Sequence, residues 1–161
     1  MYNILIFYDQ IQAGMGTKDD SLVPLGIKKE VVGPAVMMAN YLKENNAKIA
    51  GCIYCGTKYY LNNKEEVTRK IVALIDKVRP DAVIFGPTFD YKDFSTMATE
   101  ICSKVSEQTD IATVVGMSKE NTEIYEKYKD KVDIVDVPKK GGLGLNDALN
   151  NLVKRICEKL R

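Results

Sequence analysis

The sequence predicts an α/β fold, a three-layer αβα sandwich with an open, mainly parallel five-stranded sheet. Five short apolar segments alternate with longer segments whose apolar residues recur at helical spacing. Most glycines follow one of these apolar segments, where the chain would turn at one edge of a sheet: Gly14, Gly16, Gly56, Gly86, Gly116, Gly141, Gly142 and Gly144. Together these observations indicate a single domain over residues 1–161, of Rossmann or flavodoxin type.

The predicted strands cover residues 2–8, 47–54, 82–85, 111–115 and 132–137. Helices are expected after Gly33-Pro34, after Asn63, from Phe94, over residues 122–128 and after Gly144. Asn63 and Glu66 have the spacing of a capping box. Asp90 and Asp93 are interpreted as helix N-caps, and Glu100 as a solvated residue of that helix. The long segment between residues 9 and 32 is expected to be a functional or mobile loop.

Charge and composition exclude several classes of protein. The chain has 23 basic and 22 acidic residues, which argues against nucleic-acid binding and against binding to a membrane surface. No apolar run approaches the roughly 20 residues of a membrane span, and the start of the chain resembles a strand instead of a signal peptide. A cytoplasmic location is therefore expected. The sequence has no histidine, which excludes Ser-His and Cys-His nucleophiles.

Cys52 and Cys55 form a C-x-x-C pair within a predicted strand. On a strand, residues three apart point to opposite faces and lie about 10 Å apart, which is too far for a disulfide. Packing in the core is therefore the favoured interpretation. Cys55 stays a candidate nucleophile because it precedes Gly56 at a strand exit.

The same edge of the sheet carries only weak signals for other ligands. Gly14-Met15-Gly16 lacks the full dinucleotide fingerprint, and the loop lacks a compact flavin phosphate turn, so no cofactor is expected. No metal site is expected either. The loop from Lys139 to Gly144 is a candidate anion site, because free backbone N–H groups precede a helix. Its alternative is a flexible turn with solvated lysines.

Several short motifs occur in order along the chain: Ala13-Gly14-x-Gly16, Gly33-Pro34, Cys55-Gly56-x-x-Tyr59-Tyr60, Pro80-Asp81, Gly86-Pro87-x-Phe89, Glu100-x-Cys102, Gly116-Met117 and Glu120-Asn121. As an ordered set they resemble the amino-terminal region of the selenoprotein subunit of component B from glycine, sarcosine and betaine reductases. The resemblance departs at Lys92-Asp93-Phe94-Ser95, where the family has Gly-Arg-Tyr-Gly, so Asp93 reverses the charge of an arginine.

The resemblance implies reductive cleavage of a carbon–nitrogen bond. In that family a companion subunit's pyruvoyl group engages the amine, and a selenocysteine or cysteine beyond the matched region takes part in the transfer. This chain is expected to lack that redox residue and to be inactive alone. Its expected partners are a companion reductase subunit or a small amine or carboxylate ligand, with a homo-oligomer also considered.

The residues expected to bind a ligand lie after the predicted strands: Gly14, Gly16, Cys55, Gly56, Tyr59, Gly86, Pro87, Phe89, Gly116, Met117, Lys139 and Gly144. Two alternatives remain open. The chain could be an accessory assembly protein whose aromatic edge is an interface, or a small-molecule enzyme that uses Cys55.

Overall fold

The computed structural model describes all 161 residues and contains six strands and six helices. The strands are β1 (Tyr2–Tyr8), β2 (Gly26–Lys28), β3 (Ala47–Tyr54), β4 (Ala82–Phe85), β5 (Ala112–Met117) and β6 (Ile134–Asp136). The helices are α1 (Pro34–Glu44), α2 (Thr57–Asn62), α3 (Lys64–Val78), α4 (Lys92–Gln108), α5 (Thr122–Tyr128) and α6 (Leu145–Leu160).

The sheet has the order β2-β3-β1-β4-β5-β6, and all neighbouring strands are parallel except β2 and β3, which are antiparallel. Helices α1 and α6 contact each other on one face, while α3, α4 and α5 form a row on the other. Strand β4 is buried along its whole length, as expected for a central parallel strand covered on both faces. The predicted α/β fold is confirmed.

Some predicted boundaries differ from the structure. Strand β5 begins one residue later than expected and runs to Met117, and β6 is only three residues long. Strand β2 was not predicted, because three residues are too few to display an alternating pattern. It pairs antiparallel with the second half of β3 and adds a sixth strand at the edge.

The N-termini of α3 and α4 lack the side-chain caps that the sequence predicts. Asn63 precedes α3 but makes no capping bond, and its side chain donates to the Tyr59 carbonyl at 2.9 Å. The predicted capping box is therefore wrong. The N-cap of α4 is Tyr91, with no side-chain cap, so the predicted capping by Asp90 and Asp93 is wrong too.

Helix α1 begins at Pro34, as predicted, and is held by Tyr8 at the end of β1. The Tyr8 hydroxyl accepts the Ala35 N–H and donates to the Val32 carbonyl, both at 2.8 Å. One buried hydroxyl thus replaces a side-chain cap and ties the central strand to the first helix.

Candidate functional site

The chain leaves β1 toward β3 on one side, and it leaves β4 toward β5 on the other. Ligands of doubly wound sheets bind where the strand order reverses in this way, outside the carboxyl ends of the strands. Here that crevice lies between the loops that follow β1 and β4. We call this crevice and the neighbouring loops after β5 and β6 the switch-point edge, which comprises Asp9, the segment 86–91, Ser118, Asn121 and the loop 138–144.

Phe89 has a strained backbone at this edge. Its φ is 55°, in the left-handed region that bulky side chains rarely occupy. The Phe89 carbonyl accepts the Ser118 N–H at 2.8 Å and the Asn121 side-chain amide at 3.0 Å. Strain of this kind persists only where the surroundings impose it, and it is concentrated at functional sites.

A buried polar network supports this loop from below. The Thr88 and Ser95 hydroxyls lie 2.8 Å apart, and both residues are fully buried. The Asn121 amide that holds Phe89 also donates to the Ser95 hydroxyl at 3.1 Å. The loop after β4, the start of α4 and the loop after β5 therefore form one connected unit, which keeps the Phe89 backbone in its conformation.

An aromatic pair and a basic loop meet above this network. The rings of Phe89 and Tyr91, both half-buried, lie edge to face with their centroids 5.7 Å apart. The Lys140 ammonium lies 5.8 Å from the centre of the Tyr91 ring. The Lys140 N–H donates to the Asp90 carboxylate at 2.9 Å, so the chain's own carboxylate already occupies one donor of the predicted anion loop.

Asp9 ends the central strand and is almost completely buried. Its carboxylate accepts the Gln12 N–H at 2.8 Å. Burial raises the pKa of Asp9 to about 6, and backbone hydrogen bonds offset only part of this effect. No three His, Cys, Asp or Glu side chains lie together as a metal site would require.

Cys55 and Gly56 follow β3 and lie beneath the long loop after β1, and the Cys55 N–H donates to the carbonyl of Tyr8, the residue before Asp9, at 3.2 Å. The Gly56 N–H donates to the Val23 carbonyl at 2.8 Å, and the Lys58 and Tyr59 N–H groups donate to the Ser21 carbonyl, both at 2.9 Å. Cys55 is fully buried, and burial raises its pKa to about 12. The N–H groups at the start of α2 are therefore occupied by carbonyls of the long loop and are not free to bind a ligand. The burial and raised pKa of Cys55 argue against its use as a nucleophile.

The other predicted glycines fall into three groups: those in the long loop after β1, those required by close packing, and those at the open part of the switch-point edge. Gly14 and Gly16 belong to the long loop after β1. A side chain on Gly86 would meet the Gly116 carbonyl at 2.7 Å, and one on Gly116 would meet Leu152 of α6 at 2.8 Å. Gly86 and Gly116 are therefore explained by close packing, and Pro87 and Met117 are buried beside them. Phe89, Lys139 and Gly144 are the predicted residues that belong to the open part of the switch-point edge.

Glu100 is not the solvated residue that the sequence suggested. It accepts the Tyr60 hydroxyl at 2.7 Å and pairs with Lys64 at 3.1 Å, and its side chain is 21% exposed. Asp9, Thr88 and Asn121 of the switch-point edge, and Ser95 beneath it, are not among the residues that the sequence predicts to bind a ligand. Asn121 belongs to the Glu120-Asn121 motif, which was the available signal for it.

None of the helices combines the length and apolar character that crossing a membrane requires.

Comparison with known proteins adds an independent observation. The family model "Glycine/sarcosine/betaine reductase selenoprotein B (GRDB)" matches residues 1–161. The chain is 24% identical over 158 residues to the sarcosine reductase complex component B subunit beta of Peptoclostridium acidaminophilum, covering 98% of this chain and 36% of that protein. It is 30% identical over 125 residues to the glycine reductase complex component B subunit gamma of Carboxydothermus hydrogenoformans, covering 71% of this chain and 28% of that protein. The chain thus spans about a third of the length of these relatives.

Proposed function

Since the chain belongs to the glycine/sarcosine/betaine reductase selenoprotein B family, we propose that it is a ligand-binding domain of a component-B-like reductase subunit. Its ligand is a small molecule that carries both an amine and a carboxylate, and it binds at the switch-point edge. The relatives are subunits of glycine and sarcosine reductase complexes, which supports a ligand of this class and a companion subunit that acts on it.

The observation that carries the proposal is the strained backbone of Phe89. Left-handed backbone of this kind costs about 1–3 kcal/mol, and a packing role alone could be filled without it. Hydrogen bonds from Ser118 and Asn121 fix the Phe89 carbonyl, and the half-buried ring is held at the edge as a result. Phe89 belongs to the loop after β4, which borders the crevice where doubly wound proteins bind ligands, and this supports a ligand site here.

The chemistry around Phe89 suits both ends of such a ligand. Ammonium groups bind the faces of aromatic rings, and the Lys140 ammonium already lies near the Tyr91 ring. The carboxylate of the ligand would pair with Lys139 or Lys140 and the backbone N–H groups of the glycine loop. To do so it would compete with Asp90 for the Lys140 N–H.

The thiols of this chain are not equipped for redox chemistry. All four cysteines are buried and free. Burial raises the pKa of Cys55 to about 12 and that of Cys102 to about 11, so the reactive thiolate is scarce at neutral pH. We infer that the reductive step belongs to another polypeptide or region, and that this domain binds and positions the amine.

The proposal is tested by ligand-dependent thermal stability. Glycine, sarcosine and betaine at millimolar concentration should raise the Tm of the purified chain, because a ligand that binds only the folded state stabilises it. Phe89→Gly removes the ring and the backbone strain together, so it should keep or raise the Tm without ligand and lose the ligand-dependent gain. Val78→Ala, at the opposite edge of the sheet, is the control and should keep the gain.

A Phe89→Gly variant that responds to ligand as the parent protein does would contradict the site. If no amine raises the Tm of the parent protein, while a companion subunit binds it and this binding is lost in Phe89→Gly, the edge is an interface instead.

A further inference from the structure

The loop of residues 138–144 is attached to the neighbouring loop of the switch-point edge by a single hydrogen bond. In this bond the Lys140 N–H donates to the Asp90 carboxylate at 2.9 Å. Both residues are exposed, so water and ligands compete for the contact. The Gly142 N–H donates to the Lys139 carbonyl at 2.8 Å, so residues 139–142 form a turn that their own backbone closes. The bond to Asp90 therefore holds a self-contained turn in its present position.

Glycines on both sides of Leu143 provide hinges for this loop. Gly141 and Gly144 have φ values of 75° and 89°, and a Cβ at either position would meet no other atom within 4 Å. Close packing does not require these two glycines, in contrast to Gly86 and Gly116. Their conformational freedom and the open space around them allow the backbone to change direction here.

Leu143 lies between these hinges with its side chain in water. It is 97% exposed, the largest value among the large apolar residues of this protein. Because Leu143 is three residues from Lys140, their Cα atoms are at most about 11 Å apart. The Lys140 ammonium already lies 5.8 Å from the centre of the Tyr91 ring. A movement at the hinges thus brings Leu143 within reach of the half-buried rings of Phe89 and Tyr91, which offer it an apolar surface.

We propose that residues 139–144 form a lid, which Asp90 holds open and which a ligand at the switch-point edge closes. The inference rests on the ligand site proposed above. In the open state the Asp90 carboxylate occupies the Lys140 N–H, and the Lys140 ammonium lies near the Tyr91 ring. The chain's own charged groups therefore fill the positions assigned to the carboxylate and the ammonium of the ligand.

A ligand that carries both charged groups displaces both of these contacts at once. Its carboxylate takes the Lys140 N–H from Asp90, and the released turn then lets Leu143 fold onto the aromatic pair. Closure excludes water from the contact between the ligand's ammonium and the rings, which strengthens that contact. Acetate or methylamine replaces only one of the two contacts and leaves the lid open.

Leu143→Trp tests this closure directly. The sequence has no tryptophan, so the new side chain is the only source of tryptophan fluorescence. In the free protein its emission should be that of an indole in water, with strong quenching by acrylamide. Saturating betaine should shift the emission to shorter wavelength and reduce the quenching. Val78→Trp, at the opposite edge of the sheet, is the matched control and should show neither change.

Asp90→Ala tests the contact that holds the lid open. The variant should bind betaine about threefold or more tightly than the parent protein, because the open state has lost the bond that stabilises it. Asp93→Ala removes the same charge from the exposed first turn of α4 and is the matched control. Equal tightening in both variants would assign the effect to net charge and would overturn the role of Asp90.

Nuclear Overhauser effects between the Leu143 methyl groups and the rings of Phe89 or Tyr91 provide a measurement on the parent protein. They should appear only with ligand. If betaine raises the Tm and shifts the amides of residues 86–91 while Leu143 stays exposed, the lid is overturned and the proposed function stands. If betaine does not bind, both are overturned. Shielding of Leu143 by a companion subunit alone would make it an interface residue and would also overturn the lid.

Discussion

At the scale of single residues, Asp9 is a carboxyl group that the fold buries directly after its central strand, and this burial costs free energy when the carboxyl is ionised. The carboxyl is nearly buried, and its pKa is raised from 3.8 to about 6. The native state therefore binds a proton more tightly than the unfolded chain does. As a result, the contribution of Asp9 to stability is fully present below about pH 4 and is lost as the pH rises through about 6.

Asp9→Asn should remove this dependence, because the amide keeps an oxygen acceptor for the Gln12 N–H and carries no charge to desolvate. We expect the free energy of unfolding of the variant to exceed that of the parent protein by about 1–3 kcal/mol at pH 7, from a pKa shift of about two units. The difference should vanish near pH 4. Chemical denaturation from pH 4 to 8 measures it, with the exposed Asp19→Asn as control. A difference that is constant over this range would contradict the assignment.

At the scale of elements, the long loop after β1, which its length predicts to be functional or mobile, is hydrogen-bonded to the start of α2. Its Ser21 carbonyl accepts two N–H groups at the start of α2, and its Val23 carbonyl accepts the Gly56 N–H. A side chain at position 56 would collide with the Ser21 carbonyl. Gly56 is thus explained by the approach of this loop.

Gly56→Ala should therefore detach the loop and destabilise the protein by about 1–3 kcal/mol. Because Cys55 lies directly below, its alkylation by a thiol reagent should also become faster than in the parent protein. Ser21→Ala is the matched control, since only the backbone carbonyl of Ser21 takes part. Equal stability and equal labelling in Gly56→Ala would show that the loop does not depend on this contact.

At the scale of the whole molecule, the reactivity of the cysteines tests the proposal that this domain binds the amine and does not carry out the reductive step. Burial raises the pKa of all four cysteines, and most strongly that of Cys55. The folded protein should react with iodoacetamide at pH 7 many times more slowly than the unfolded protein, at every position. Mass spectrometry of tryptic peptides gives the rate for each cysteine. Rapid labelling of Cys55 in the native state would favour an enzyme that uses this thiol.

The sequence predicts those strands and helices whose pattern of apolar residues is long and periodic. The five parallel strands and the apolar stripes of α3, α4 and α6 follow from spacing alone. Strand β2 did not, because three residues carry no period. The contacts of Glu100 with Tyr60 and of Asn121 with Phe89 join residues distant in the chain, and no local pattern encodes such pairs.

The same limit applies to the glycines after the strands. Their positions predicted the edge of the sheet correctly, but the sequence could not distinguish a glycine that approaches a ligand from one that approaches another part of the chain. Gly56, Gly86 and Gly116 are of the second kind. The partly exposed aromatic pair and the exposed lysine loop remain open at the switch-point edge, and the proposed ligand site depends on them.

The most direct test of that site is a titration of the isotopically labelled chain with betaine, sarcosine and glycine, followed by amide chemical shifts. Saturable shifts are expected at Asp9 and at residues 86–91, 118–121 and 138–144, with weaker effects from acetate or methylamine, which each carry only one of the two charged groups. Shifts that are absent at millimolar ligand, or that are largest around Cys55 and Gly56, would contradict the proposed site.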